Sequence, residues 1–423
     1  MLAFKVFLVK LLIAVSVFIN VVKAEEIQAV SLQQAISLAI EYDAQIAGLA
    51  EKKKSWQQLS QAAEAWQDPT LRFGAQAVPV DSFDLEQEPM TQLILGYQQM
   101  FPRGDSLQQK AEMLQANSAV ESALLALRQR QIIRSVKRYW YDIWYRHRSI
   151  KIIQLNRNVF KKMLDINQSF YASGRINQQS VVQAELDISL VDDKLQSMQS
   201  ELQVSHEAIS KLMGGYFELA ITDNLLKANT EIVGEINIWH EKIKLHPEIA
   251  RVNAKLDMRK SALTLEEEKY NAQWGLDVRY GHRQGENLNG SDRADFLTAM
   301  VSVDLPVFTK QKQDRQVAAS RSQMQSVKYE LIDIERELLK KLKQTHARIT
   351  KFKQRLALYK EKINPQARQN SEVAMRGYQS GVVDFLTLSK AQVTEFNTQL
   401  AEINLQYQYM KTKTELEFLV GDR

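Results

Sequence analysis

Long stretches of the chain show helical periodicity without any residue that breaks helices. Neither proline nor glycine occurs between Gly104 and Gly174, between Arg175 and Met213, or in residues 383–419, and residues 307–376 contain only Pro365. Apolar residues recur at spacings of three and four, as at Val181, Ala184, Ile188, Val191, Leu195 and Met198. A helix of roughly 70 residues is about 100 Å long, so it requires partner helices along its length. The pattern therefore predicts a coiled coil or a barrel of helices.

Four short segments alternate apolar and polar residues with period two, which is typical of strands. The predicted strands are residues 70–80, 92–101, 275–284 and 296–305. About 10 residues with one apolar side is the size needed to cross an outer membrane. A pair of soluble hairpins on a helical body is the alternative. Four strands cannot close a barrel without leaving unpaired edges in lipid, so several copies are expected to pool their strands.

The chain is also an internal duplication. Asp43-Ala-Gln-Ile-Ala corresponds to His246-Pro-Glu-Ile-Ala, and Tyr171-Ala-Ser-Gly174 corresponds to Tyr378-Gln-Ser-Gly381. We predict a first repeat at residues 25–213 and a second at 238–423, joined by a loop at 214–237. Each repeat is predicted to contain a helix, a strand hairpin, a very long helix, a turn and another long helix. The turns are expected at residues 171–176 and 378–383.

The N-terminal residues 1–24 have the features of a signal peptide. Lys5 and Lys10 precede an apolar stretch from Leu11 to Val22, and small residues at positions 22 and 24 precede Glu25. The alternative is a membrane anchor, although the apolar stretch is short for a full span. Cleavage would leave 52 basic and 50 acidic residues, a net charge of +2, which argues against nucleic acid as a partner. No later stretch approaches 18 apolar residues.

Candidate chemistry in the sequence is sparse. The absence of cysteine excludes disulfides, thiolate metal sites and a lipid anchor on a cysteine. The six histidines form no metal-binding spacing, and no nucleotide loop or nucleophile motif is present, so we expect no enzyme, cofactor or metal site. Met90 and Met100 are expected to pack near the strands rather than bind metal. Trp66 and Trp274 could belong to an aromatic girdle at a membrane interface or pack where helix meets strand.

Together with the duplication, several short motifs carry a resemblance to the TolC family of outer-membrane efflux channels. They are Ser31-Leu-Gln-Gln-Ala-Ile, the two Tyr-x-Ser-Gly turns, Ser389-Lys-Ala-Gln and Leu419-Val-Gly421. The resemblance implies a homotrimer with a shared 12-stranded transmembrane β-barrel in the Gram-negative outer membrane, continued by an α-helical periplasmic tunnel. It also implies a periplasmic adaptor and an inner-membrane transporter as partners. Tyr171, Gly174, Tyr378 and Gly381 would mark the tips where the adaptor docks.

One part of the family pattern is missing. Some members constrict the tunnel with two aspartates six and nine residues after the second turn glycine, where this chain has Thr387 and Lys390. The equivalent positions of the first repeat hold Ser180 and Gln183, and Asp384 is a nearby carboxylate. These five residues are the candidate pore constriction.

A further resemblance, to one branch of the family, indicates which solute is exported. The segments Glu88-Pro-Met-Thr-Gln and Val303-Asp-Leu-Pro-Val-Phe are similar to those of the heavy-metal branch, the CzcC- and CusC-like channels. It implies export of heavy-metal cations with a resistance-nodulation-division transporter. Multidrug efflux and type I protein secretion remain alternatives.

Overall fold

The computed structural model describes residues 29–222 and 236–421, so the predicted signal peptide lies outside the described chain. Long helices dominate each repeat and flank a pair of strands. In the first repeat these elements are α1 (Leu32–Glu41), α2 (Ala44–Ala63), β1 (Thr70–Gln76), β2 (Gln92–Met100), α3 (Ser106–Ala172) and α4 (Gln178–Met213). In the second they are α5 (Ile236–Ile243), α6 (Pro247–Glu267), β3 (Gln273–His282), β4 (Phe296–Asp304), α7 (Gln313–Leu358), α8 (Asn364–Gln379) and α9 (Phe385–Val420).

The helical region after the strand hairpin has the same length in both repeats, but it is one regular helix only in the first repeat. Helix α3 runs for 67 residues without a break. Its counterpart consists of α7, a five-residue π-helical turn and α8, and these 46, 5 and 16 residues together match α3. Pro365 has no N–H to donate within the helix, and the N–H of Asn364 bonds instead to the carbonyl of Tyr359, five residues back. The single proline of this stretch thus interrupts the second long helix.

The four strands form one antiparallel sheet in the order β1-β2-β3-β4. The register places Phe73 opposite Leu95 and Leu95 opposite Tyr280, while Arg72 lies opposite Gly96. The predicted first strand extended to residue 80 but ends at Gln76, because Ala77 adopts a positive φ of 54° that a strand cannot contain. The third strand lies two residues earlier than predicted.

The sheet has one apolar and one mainly polar face. Neighbouring side chains of the apolar face include Leu71, Phe73, Leu95, Tyr97, Leu276, Val278, Leu297, Val301 and Val303. Many of them are exposed in the single chain, and Phe73 is 88% exposed. The opposite face carries Arg72, Gln76, Gln92, Gln98, Asp277, Arg279, Thr298, Ser302 and Asp304. An exposed apolar face of this size requires cover by another apolar phase or another molecule.

The repeats do not fold as separate compact domains. Within the described residues, a helical unit comprises residues 29–42, 132–222 and 351–414, and a strand-bearing unit comprises residues 43–131, 236–350 and 415–421. Each unit therefore takes segments from both repeats. This interleaving follows from the very long helices, because α3 contributes residues to both units.

Equivalent residues of the two repeats begin equivalent helices. Asp43 caps α2 by accepting a hydrogen bond from the N–H of Ile46 at 2.9 Å, and His246 caps α6 by accepting one from the N–H of Glu248 at 3.2 Å. Asp43 also accepts two hydrogen bonds from the Arg128 guanidinium, at 2.7 and 3.2 Å. The hydrogen bond from Arg128 holds the pKa of Asp43 below its ordinary value. This carboxylate thus fixes the start of α2 against the long α3 helix.

Replacing Asp43 by alanine should destabilise the folded chain by about 2 kcal/mol, because it removes a helix cap and leaves Arg128 without this partner. Since the pKa of Asp43 is lower in the folded state, its contribution is present above about pH 4 and is lost as the pH falls through the folded-state pKa. Thermal unfolding followed by circular dichroism across acidic pH measures both effects. Equal unfolding temperatures for Asp43→Ala and wild type at neutral pH would contradict this role.

Candidate functional site

Two chain reversals in the helical unit have the same backbone geometry. The first joins α3 to α4 and the second joins α8 to α9. Gly174 and Gly381 adopt positive φ values of 71° and 78°. The next N–H in each turn, from Arg175 or Val382, bonds back to a carbonyl five residues earlier, at 2.8 and 2.9 Å. This is a glycine-terminated helix end. A Cβ added at either glycine would meet no atom within 4 Å, so conformational strain alone favours glycine there.

The helices that leave the two turns are capped at equivalent positions. Asn177 accepts from the N–H of Ser180 at 3.2 Å, and Asp384 accepts from the N–H of Thr387 at 2.9 Å. Hydrogen bonds from Thr387 hold the pKa of Asp384 below its ordinary value. Three of the predicted constriction residues, Ser180, Asp384 and Thr387, therefore take part in helix capping.

The two tip tyrosines differ in their surroundings. Tyr171 is 49% exposed, whereas Tyr378 is 4% exposed. The hydroxyl of Tyr378 donates to the amide oxygen of Asn167, and its ring lies 5.6 Å from that of Phe170 and 5.8 Å from that of Phe385. Burial raises the pKa of Tyr378. Of the two tyrosines, only Tyr171 presents its ring to a partner in the single chain.

Several polar contacts connect the α3–α4 hairpin, here called hairpin 1, to the α8–α9 hairpin, here called hairpin 2, and three of them lie within residues 156–187 and 378–399. Asn156 donates to Gln399 at 3.0 Å. Asn167 accepts from Tyr378, as described above. The hydroxyl of Ser389 donates to Asp187 at 2.5 Å. We call these three contacts the inter-hairpin ties.

Side chains near the predicted constriction reinforce the ties. The amide of Gln183 donates to the buried Asp187 at 2.9 Å, so Gln183 is oriented within hairpin 1. The amide of Asn167 donates to the main-chain carbonyl of Ser180 at 3.1 Å. Asn167 is fully buried and bonds in both directions, which makes it a junction between the two hairpins.

An apolar core surrounds the ties. Its buried members from hairpin 1 and hairpin 2 are Ile153, Phe160, Met163, Ala184, Val191, Ala374, Tyr378, Phe385, Leu388, Ala391, Phe396 and Leu400. Between its side chains the tie residues Asn167 and Asp187 are 0% and 7% exposed. Buried polar groups in such a core specify one arrangement of the helices, because a shift would leave them unpaired.

A cleft of about 450 Å³ opens between the two turns. Ser180, Tyr378, Gly381 and Asp384 line it, together with Phe170 and Arg175. The guanidinium of Arg175 lies 4.1 Å from the centre of the Phe170 ring. Gln183, Thr387 and Lys390 do not line this cleft, and Lys390 is exposed. The structure thus brings together only part of the predicted tip and constriction set.

Several residues of this site were missed by sequence analysis. Asn167, Phe170, Asp187 and Phe385 form the ties, the core and the cleft wall, yet none belongs to a recognisable motif. A usable signal existed for Asn167, because it is a polar residue one helical turn before Tyr171 on the apolar stripe that contains Met163.

Comparison with known proteins identifies the fold and matches part of the chain to a family model. Residues 240–422 match the family model described as outer membrane efflux protein. The matched segment is the second repeat, and the first repeat has the same order of elements. No curated protein matches the sequence.

Several solved structures share the fold along almost the whole chain. CusC is 14% identical with a TM-score of 0.79, and the match covers 93% of this chain and 92% of CusC. VceC from Vibrio cholerae is 16% identical with a TM-score of 0.74, covering 92% and 96% of the two chains. MtrE of Neisseria gonorrhoeae, solved in its open state, is 12% identical with a TM-score of 0.76, covering 92% and 88%. At these identities the likeness shows the fold alone.

Two properties of the described residues concern membranes and metals. No helix in residues 29–222 or 236–421 is both long and apolar enough to span a membrane. The same residues contain no cluster of three or more histidine, aspartate or glutamate side chains arranged to hold a metal ion.

The two tip tyrosines should respond differently to loss of the hydroxyl. Tyr378→Phe should destabilise the hairpin packing by about 2 kcal/mol, because it leaves the buried Asn167 oxygen without its donor. Tyr171→Phe is the matched control and should change stability by less than about 0.5 kcal/mol. Hydrogen exchange at the amides of α8 and hairpin 1 measures the difference. Equal protection in the two variants would show that the Tyr378–Asn167 contact does not stabilise the site.

Proposed function

We propose that the chain is one subunit of the outer-membrane exit duct of a tripartite efflux pump. The observation that carries this proposal is the four-stranded sheet, which has an exposed apolar face and two open edges. The same chain also forms the paired helical hairpins. A single copy cannot place such a sheet in a lipid bilayer, because the unpaired main-chain groups at its edges would be costly there. Three copies that pair β4 of one with β1 of the next would form a 12-stranded barrel.

The two faces of the sheet suit this arrangement. The face with Leu71, Phe73 and Val301 would contact lipid, and the face with Arg72 and Asp277 would line the water-filled interior. Trp66 and Trp274 lie at the helix-side ends of the strands and are 59% and 51% exposed. Their positions support an interfacial aromatic girdle in the Gram-negative outer membrane, with the helices in the periplasm.

The tip is where we place the partner contact and the closure of the duct. A periplasmic adaptor would dock on the two turns at Gly174 and Gly381, where Tyr171 is available on the surface and Tyr378 is held inside. Docking would shift hairpin 2 relative to hairpin 1 and break the inter-hairpin ties. Cargo would then pass without catalysis, and the energy would come from the inner-membrane transporter.

We assign heavy-metal ions as the cargo, handed over by a resistance-nodulation-division transporter. The support is the similarity of the segments beginning at Glu88 and Val303 to the heavy-metal branch. These segments lie directly before β2 and at the end of β4.

A strain that lacks the gene should become sensitive to one group of metal ions, and restoring the gene should reverse the sensitivity. Growth inhibition is measured with copper, silver, zinc, cobalt, cadmium and a set of hydrophobic drugs. We expect at least a several-fold lower inhibitory concentration for the exported ions only. Sensitivity to drugs alone would overturn the metal assignment and favour a multidrug duct. Unchanged growth in every condition would count against a role in efflux.

A disulfide between the hairpins should close the duct reversibly. The chain has no cysteine, so Asp187→Cys with Ser389→Cys introduces the only pair, at positions whose side-chain oxygens are 2.5 Å apart. Under oxidising conditions we expect the double variant to lose metal resistance, and a reductant should restore it. Each single variant is the control for loss of the tie itself. Full cross-linking with normal resistance would show that the hairpins need not separate.

A further inference from the structure

The polar face of the sheet carries a cluster of charged side chains that the proposed function has not used. Asp277 of β3 accepts two hydrogen bonds from the Arg279 guanidinium, at 2.7 and 3.0 Å. Arg72 of β1 lies 3.8 Å from the same carboxylate and hydrogen-bonds to Gln98 of β2. Two guanidinium groups therefore share one carboxylate across three strands.

Gly96 makes this arrangement possible. In the register it lies between Arg72 and Arg279, on the strand that separates them. A Cβ added there would come within 3.3 Å of the Arg279 side chain and 3.7 Å of the Arg72 side chain. The missing side chain thus leaves room beside Gly96 for the side chains of both arginines that contact Asp277.

The surface that this cluster presents is positive. The side chain of Arg72 is 55% exposed and that of Arg279 is 35% exposed, whereas that of Asp277 is only 14% exposed. The remaining charged side chain on this face of the four strands is Asp304, which is paired with Arg103. The carboxylate of the cluster is thus covered by its partners, and one net positive charge per copy remains.

We infer that Arg72, Asp277 and Arg279 form a cationic layer in the barrel that favours anionic solutes, including metal ions carried as anionic complexes. This inference rests on the proposed function, in which the polar face lines the interior and three copies contribute three net charges. Fixed charges on a conduit wall attract counter-ions and repel co-ions within about a Debye length, ~8 Å at physiological salt. A free divalent cation is disfavoured at this layer, and a negatively charged complex of the same metal is favoured.

The test is the reversal potential of the purified trimer in a planar lipid bilayer under a KCl gradient. Arg72→Gln and Arg279→Gln should each lower the chloride-to-potassium permeability ratio by at least about twofold, because each removes one charge from every copy and a single unit charge ~10 Å from an ion in water already changes its concentration by about twofold. Asp277→Asn should raise the ratio by a similar factor. The same charge change on an exposed helix, Lys52→Gln, is the control and should leave the ratio unchanged. The series is repeated with Tyr378→Phe, so that a closed tip does not hide the effect of the strands.

The opposite signs separate an electrostatic role from a structural one. Shifts in the same direction from Arg279→Gln and Asp277→Asn, or no shift from either, would overturn the inference while leaving the channel intact. A protein that forms no conducting channel, either as the wild type or with Tyr378→Phe, would overturn the proposed function and this inference together. Because Arg72 has the most exposed guanidinium of the cluster, Arg72→Gln carries the test if the Arg279 variant fails to assemble.

Discussion

The main-chain hydrogen bonding of the sheet is the constraint on which the rest of the structure depends. In the described chain, β1 pairs only with β2 and β4 pairs only with β3, so one side of each edge strand has no partner. The unpaired N–H and C=O groups of the edge strands would be hydrated in water, but the exposed apolar face of the same sheet is unfavourable in water. In the duct that we propose, strands of other copies continue the sheet within lipid, and this satisfies the apolar face and the open edges together. The proposed assembly of several copies is therefore a consequence of the sheet itself.

Duplication of the sequence has produced equivalent backbones with different side-chain roles. Both turns use a glycine with positive φ, and both following helices have a capping side chain at the same place, Asn177 or Asp384. The tyrosines before the turns differ because hairpin 1 supplies Asn167 and Phe170 as a pocket for Tyr378. If the two hairpins were identical, both tyrosines would have the same surroundings, and one could not be buried while the other stayed exposed. Divergence after duplication thus distinguishes an inner contact from an outer surface.

Features encoded locally were predictable from the sequence, and features that depend on distant residues were not. The long helices followed from uninterrupted helix-forming residues, and the strands followed from period-two alternation. The helix turns followed from glycine, which tolerates the required φ. By contrast, the Tyr378–Asn167 and Ser389–Asp187 contacts join residues 211 and 202 positions apart, and no local pattern indicates them. The early end of β1 was missed because Ala77, unlike glycine or proline, gives no sign of its positive φ.

In the closed tip that we propose, hydrogen bonds and helix caps hold the hairpins together in place of an acidic ring. Ser180 and Gln183 are engaged in hydrogen bonds inside hairpin 1, and Asp384 caps α9 by accepting from Thr387, so four of the five predicted constriction residues hold helices in place. Each tie contributes about 1 kcal/mol net, because folding only exchanges it for hydrogen bonds with water. Three ties per copy therefore add about 3 kcal/mol, comparable to the roughly 1–3 kcal/mol by which a bound effector typically biases two states. A docked adaptor could supply this energy without nucleotide hydrolysis in the duct. In the proposed duct, fixed charges elsewhere along the path would then discriminate among solutes. The arginine layer of the sheet carries such charges.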